Sequence, residues 1–343
     1  MLDRITNSPI KDTEKLGRAD LVELAESILR HTNETRYVDI DSFSGKPGYT
    51  PEMIATAKRR TQEARNTHEK ATLDWLGSVE GKDQKSIVEG KEISDAFEAT
   101  VLDQITPNAW LGMNAVATKI TEHGDLCEHT DGVLEIMNSD ETERFALSID
   151  TSRNLDSFGI DKKVVRNLKT ILGVDRPTRV TFFRSEIPND DGSYYEGPLE
   201  GIIPLIIGTG KEKCDELIQH YGTIVKFTDL LKTAVKSADK ERIKAKIAAS
   251  SKKIAEHPAQ MVFIRAIQIQ LGMYANILQR IINDTKNPQP ALNQTLDHVR
   301  QVTTIFDDIL KEKLREGFDP EEADQDEFIQ VLTSVRATNE KHY

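Results

Sequence analysis

Two short apolar runs carry aspartate where a strand would bury its side chains, and nothing else in the chain constrains the fold as tightly. One is Asp131-Gly132-Val133-Leu134-Glu135-Ile136; the other is Phe145-Ala146-Leu147-Ser148-Ile149-Asp150-Thr151-Ser152. Runs of this length and composition read as strands. An unpaired carboxylate in an apolar environment is costly. Asp150 therefore stands either at a strand mouth facing water or beside a cation.

Around these runs the pattern alternates between strands and helices. Residues 93–105 read as a helix with Phe97, Val101 and Leu102 on one face, and Glu98 lies on it. Strands are expected at 115–121, 132–137 and 145–152, then a helix at 160–172, strands at 179–184 and 202–207, and a helix at 211–221. That order describes an α/β core with a mixed sheet. Before it come a helix at 18–31 and another opened by Thr50 as cap and Pro51 at the first helical position. Residues 77–90, punctuated by Gly77, Gly81 and Gly90, read as a linker. After Gly222 the chain reads as helical to its end, with helices at 226–238, 240–255, 257–282 and 291–315, a break at Asn287-Pro288-Gln289-Pro290, and an acidic helix from Pro320.

A chain of 343 residues exceeds the usual single domain. The expected division is a helical region and linker over 1–90, an α/β core over 91–222 and a helical region over 223–343. The start, Met1-Leu2-Asp3-Arg4-Ile5, lacks the apolar stretch of a secretory signal, and no apolar run reaches the ~20 residues of a membrane span. Two cysteines, Cys127 and Cys214, make no disulfide framework and suit a reducing, cytoplasmic setting. The net charge of −12 argues against polyanion binding by the whole surface. One segment is basic, residues 226–253, with nine Lys and Arg against three Asp and Glu. It is either a solvated helix face or a track for a phosphate backbone. The broad apolar pattern of 257–282 suits burial in a bundle or against a partner helix, including one from a second copy.

The element order, with acids on the first helix and at the second and third strands, resembles the PD-(D/E)xK nuclease, or restriction-endonuclease-like, superfamily over residues 92–210. The resemblance implies a mixed-sheet nuclease fold in which Asp131 is the aspartate opening the second strand, Asp150 the acidic residue of the strand triplet and Glu98 the helical glutamate. These three would ligate Mg²⁺, with Mn²⁺ as the alternative, and nucleic acid would be the substrate. Hard carboxylate oxygens suit such an ion, which polarises a phosphodiester and activates water. The sequence departs from the pattern at one place, where Asp150-Thr151-Ser152 has serine in the lysine position. Lys162 or Lys163, at the start of the following helix, or Lys119 on the first strand, are the expected substitutes, because a lysine stem is long and flexible. The same departure leaves a second expectation open, an inactive nuclease-fold protein that serves interaction or assembly.

Other motifs are weaker. His123, Cys127 and His129, near Glu128, fit no zinc spacing and read as a surface loop. Gly208-Thr209-Gly210-Lys211 lacks both the first glycine and the Ser or Thr of a phosphate-binding loop, and reads as a strand-to-helix turn.

Overall fold

The computed structural model describes residues 16–32, 37–79, 81–138, 140–153, 155–287 and 289–343, and the side chains of all of these except 81–83. Residues 1–5, read above for a signal, and Pro288 of the proline-rich break lie outside the described residues.

Helix α1 (Arg18–Thr32) buries Leu21, Leu24, Ala25 and Ile28, the three-and-four spacing seen in the sequence. Helix α2 (Pro51–Gly77) begins at its expected cap, where the Thr50 hydroxyl accepts from the Met53 N–H at 3.2 Å. Its buried residues, Ile54, Ala57 and Thr61, all lie near its start. The stretch expected as a linker is instead helical, since α3 (Gly81–Ile105) starts inside it. Gln84 joins the two helices by donating to the carbonyls of Leu76 and Val79 at 2.7 and 3.0 Å, just at and past the end of α2. Good helix formers such as Gln84, Lys85 and Glu89 offset Gly90, whose cost is about 1 kcal/mol.

The sheet forms from β1 (Ala115–Lys119), β2 (Gly132–Met137) and β3 (Arg144–Ser152), with α4 (Glu122–Glu128) between the first two and α5 (Ser157–Ile171) after the third. Four short strands follow, β4 (Arg179–Val180), β5 (Arg184–Pro188), β6 (Tyr194–Glu196) and β7 (Leu199–Glu200), then β8 (Ile203–Gly208). The main sheet has the order β1-β2-β3-β8; its first two pairings are antiparallel and β3 runs parallel to β8. The expected mixed sheet is therefore present, but without the strand anticipated at 179–184. Only Arg179 and Val180 pair there, with β7, while β5 pairs with β6 apart from the sheet. The reason lies in Phe182 and Phe183, which bury themselves in different clusters. Phe182 packs with Phe43, Tyr49 and Ile54, and Phe183 with Ile120, Val133, Val180 and Ile202.

The remaining helices are α6 (Lys211–Thr233), α7 (Ser237–Ala255), α8 (Ala259–Asp284), α9 (Pro290–Arg315), α10 (Pro320–Asp324) and α11 (Glu327–His342). Helix α6 passes straight through Gly222, where the sequence suggested a break. A Cβ there would stand 2.8 Å from Leu24 Cβ, so the glycine marks a close crossing of α6 over α1. The boundaries expected at 90 and 222 both fall inside helices. One hydrophobic cluster takes in α1, α3, the sheet and α5 to α11, α7 through Ile254 alone. The stretch Ser237–Asp284 holds a window long and apolar enough to cross a membrane by length and composition, correcting the sequence expectation, and 72% of that window is buried in the molecule. Gln270 on α8, fully buried, closes the outer edge of β8 by donating to Ile206 O at 2.7 Å and accepting from Ile206 N at 2.9 Å. An edge strand is thereby satisfied by a side-chain amide instead of another strand.

Candidate functional site

The acids of the two strands meet at one end of the sheet. Asp131 closes the start of β2, its N–H donating to Ile149 O at 2.8 Å, which sets it beside Asp150. Its Oδ2 accepts from the Thr151 N–H at 2.6 Å and from the Thr151 hydroxyl at 2.9 Å. Glu98 approaches from α3, one helical turn before Leu102. That helix comes close because Gly132 has no side chain; a Cβ would stand 2.6 Å from Leu102 Cδ2. Burial pushes the Asp131 carboxyl well above the ordinary aspartate range, and the negative charges of Glu98, Asp150 and Asp125 push it the same way. The bond from Thr151 opposes them.

Asp150 is held differently. Lys163 Nζ lies 2.5 Å from its Oδ1 and Arg166 Nη2 lies 2.8 Å from its Oδ2. The two cations sit three residues apart on α5 and so share a face. Asp156 fixes the start of that helix by accepting from the Gly159 N–H at 2.9 Å. Of the three lysines the sequence offered, only Lys163 reaches an acid of the group. Lys162 lies over the Phe158 ring at 4.2 Å, exposed, and Lys119 pairs with Asp103, which also accepts from the Tyr221 hydroxyl at 2.8 Å.

Ser152, where the resemblance leads one to expect a lysine, has a packing reason. Ser152 is 5% exposed, at the end of the β3–β8 pair. Helix α11 closes over that end, where buried Phe328 packs against Gly208. Asp326, the cap of α11, accepts from the Gly210 N–H at 2.8 Å, the Thr209 hydroxyl at 2.9 Å and Lys213 at 3.2 Å. A lysine at 152 would bury its ammonium there. The same contacts dispose of the phosphate-loop motif, since an aspartate of this chain already occupies the amide-lined start of α6.

A cleft of about 450 Å³ opens over Asp150, lined among others by Arg60, Glu128, Arg166, Asn167, Arg176 and Arg179. Glu128 is raised by burial, against the Thr181 hydroxyl and N–H that bind it. His123 is lowered, first by burial and then by Arg60, and its Nδ1 lies 3.1 Å from the Thr61 hydroxyl. The surface loop expected at 123–129 is instead α4, capped by Thr121. Of the nine basic side chains at 226–253, at least four stand in ion pairs, Lys226 with Glu23, Lys232 with Asp229, Lys244 with Glu241 and Lys252 with Glu256.

The donor set fits a hard divalent cation by its chemistry, because crowded carboxylates raise one another and a cation relieves them. By position the fit is incomplete: among the described residues no group of three acid, His or Cys side chains is arranged to hold a metal ion. Asp125, Thr151 and the cleft arginines Arg60, Arg176 and Arg179 escaped the sequence reading. The three-residue spacing of Arg166 from Lys163 on α5 is the sequence signal that joins the two cations. Comparison of the chain with protein-family models, curated proteins and solved structures returned no match, so the functional reading rests on this geometry.

Proposed function

We propose that the protein hydrolyses phosphodiester bonds of nucleic acid with the help of a divalent cation, on a restriction-endonuclease-like core. The order α3-β1-β2-β3-α5-β8, with α4 and the short strands as additions, supports the fold part of this reading. The observation that carries the function is the crowding of Glu98, Asp150 and Asp125 around a raised Asp131, with Lys163 brought to Asp150 from the next helix. Asp131, Glu98 and Asp150 are the residues that would hold Mg²⁺ or Mn²⁺. When bound, such an ion polarises the phosphodiester and makes hydroxide available near neutral pH. Thr151 orients the Asp131 carboxylate. Lys163 supplies the positive charge that Ser152 cannot, and the cleft arginines offer phosphate contacts on a surface that is otherwise acidic.

The test is cleavage of labelled single- and double-stranded DNA and RNA with Mg²⁺ or Mn²⁺, comparing wild type with Asp131→Asn and Lys163→Met. Activity in the wild type that both substitutions abolish supports the reading, and metal-dependent cleavage unchanged in Asp131→Asn would sink it. One observation favours a second reading, a nuclease-fold protein that no longer cleaves and serves assembly: both Asp150 oxygens are neutralised by this chain's own cations. Under that reading neither ion binds in any condition.

A further inference from the structure

The cleft over Asp150 is a separate place from the gathering of acids around Asp131. Side chains alternate along a strand, so Ser148 and Asp150 stand on the face of β3 that lines the cleft, while Thr151, whose hydroxyl binds Asp131, stands on the other. Neither Asp131 nor Glu98 lines the cavity, whose volume of about 450 Å³ suits one small ligand or the end of a larger one. Ser148 is 4% exposed, and its hydroxyl meets no hydrogen-bond partner among the described residues. A buried hydroxyl left unpaired costs free energy that a bound ligand recovers. Arg60 reaches the cavity from α2 and Arg176 from the loop after α5, and neither makes an ion pair among the described residues. Glu128 does not capture Arg60, because the Thr181 hydroxyl and N–H occupy its oxygens. Four guanidiniums stand against four carboxyls in the lining, and Lys163, bound to Asp150 from α5, tips the balance to positive on a chain of net charge −12.

We propose that this cleft receives a phosphate monoester, its phosphoryl group held by Arg60 and Arg176 and its ester side reaching the Ser148 hydroxyl. A monoester carries close to two negative charges near neutral pH, which matches two guanidiniums that make no ion pair, whereas a diester carries one. Guanidiniums bind phosphate through two parallel hydrogen bonds, so the pair discriminates by geometry as well as by charge. Arg166 and Arg179 stay on Asp150 and Glu200 and complete the wall. The inference goes beyond the cleavage reading and needs no metal ion. Either the 5′ end of a nucleic-acid strand or a small phosphorylated molecule such as a nucleotide supplies the chemistry that this cleft would recognise.

The experiment uses the full chain with no divalent ion present. A 3′-labelled octathymidylate, carrying a 5′-phosphate or a 5′-hydroxyl, is titrated by fluorescence anisotropy, and thymidine 5′-monophosphate and thymidine by calorimetry. At least one phosphate-bearing ligand is expected to bind about tenfold or more tightly than its counterpart without the phosphate, the weight of one charge-assisted hydrogen bond. An advantage in the octamer alone assigns the strand end, and an advantage in the mononucleotide assigns a small phosphorylated molecule. Arg60→Gln and Arg176→Gln should each remove most of that advantage. Ser148→Ala should weaken the phosphorylated ligand about fivefold, and melting curves check that each variant is folded. No advantage for the phosphate in either pair overturns the proposal, and so does an advantage that survives in both arginine variants. An unchanged affinity in Ser148→Ala overturns the placement of the ligand against β3. Since no metal enters these titrations, failure of the cleavage reading leaves their outcome untouched, and a cleft indifferent to the phosphate leaves the cleavage reading standing.

Discussion

At Asp131, stability and function pull in opposite directions. Its carboxyl is raised by burial and by three neighbouring acids, so the folded protein keeps a proton that the unfolded chain has released. Stability must then fall as pH rises from the ordinary aspartate range toward the raised value, because the folded state binds more protons across that window. Below the window both states are protonated and the penalty is absent. Asp131→Asn removes the ionisable group while keeping its shape. We expect its melting temperature to equal that of wild type near the acid end and to exceed it increasingly through the window. A thermal melt series against pH measures this, and parallel curves for the two proteins would show that Asp131 carries no such penalty. Under the metal-dependent reading proposed above, added Mg²⁺ should raise the melting temperature of wild type and leave the variant unchanged, since only a ligand that prefers the folded state stabilises it. Asp150 shows why an acid in an apolar run is easier to find than its partners. Its place at a strand end was legible from the apolar run before it, whereas Arg166 and the cleft arginines are ordinary surface types until the fold gathers them.

The elements were legible wherever caps and periodicity agreed, as at Thr50-Pro51, along α8 and in the runs that became β2 and β3. They misled where a residue had a tertiary purpose. Gly222 marks a crossing over Leu24 and not a helix stop, and Phe182 and Phe183 break a strand pattern by serving two clusters. Gln270 is the sharpest instance, a polar residue in an apolar helix whose partner lies 64 residues away on the β8 edge. Gln270→Met keeps the volume but leaves the Ile206 N–H and C=O buried and unpaired. Each such group costs about 1–3 kcal/mol. Chemical denaturation is therefore expected to show a loss of roughly 2–5 kcal/mol; a loss below about 1 kcal/mol would mean that water or a backbone shift satisfies the edge. The same reasoning applies to Asp326, whose carboxylate ties α11 to the start of α6. Asp326→Ala strips Lys213 of its partner and leaves the Gly210 N–H unbonded. A loss of about 3–5 kcal/mol is expected for breaking a buried pair of this kind.

For the whole molecule, the largest of three apolar clusters decides how most of the parts depend on each other. The sheet has α3 beside β1, α5 beside β8 and α8 against the outer edge of β8, so the helices after 222 complete the core. A chain ending at residue 222 should therefore fail to melt cooperatively and expose enough apolar surface to aggregate. A cooperative transition from residues 91–222 alone would instead show an independent domain. The charge distribution sets a second expectation. With a net charge of −12, the proposed function requires nucleic acid to be drawn by the cleft and not by the surface at large. Arg60, Arg166 and Arg176 line the cleft, Arg166 already sharing its guanidinium with Asp150 at 2.8 Å, and Arg179 is shared with Glu200 at 3.4 Å. Each phosphate neutralised releases counterions, so three contacts give a slope of log affinity against log salt of about −2 to −3. Fluorescence anisotropy of a labelled oligonucleotide across a salt series measures it. A slope much steeper than that would bring in the lysines of α7, such as Lys240 and Lys252. Loss of about one unit in Arg176→Gln would tie the contact to the cleft beside Asp150, where the raised Asp131 and the clamped strand end are already assembled.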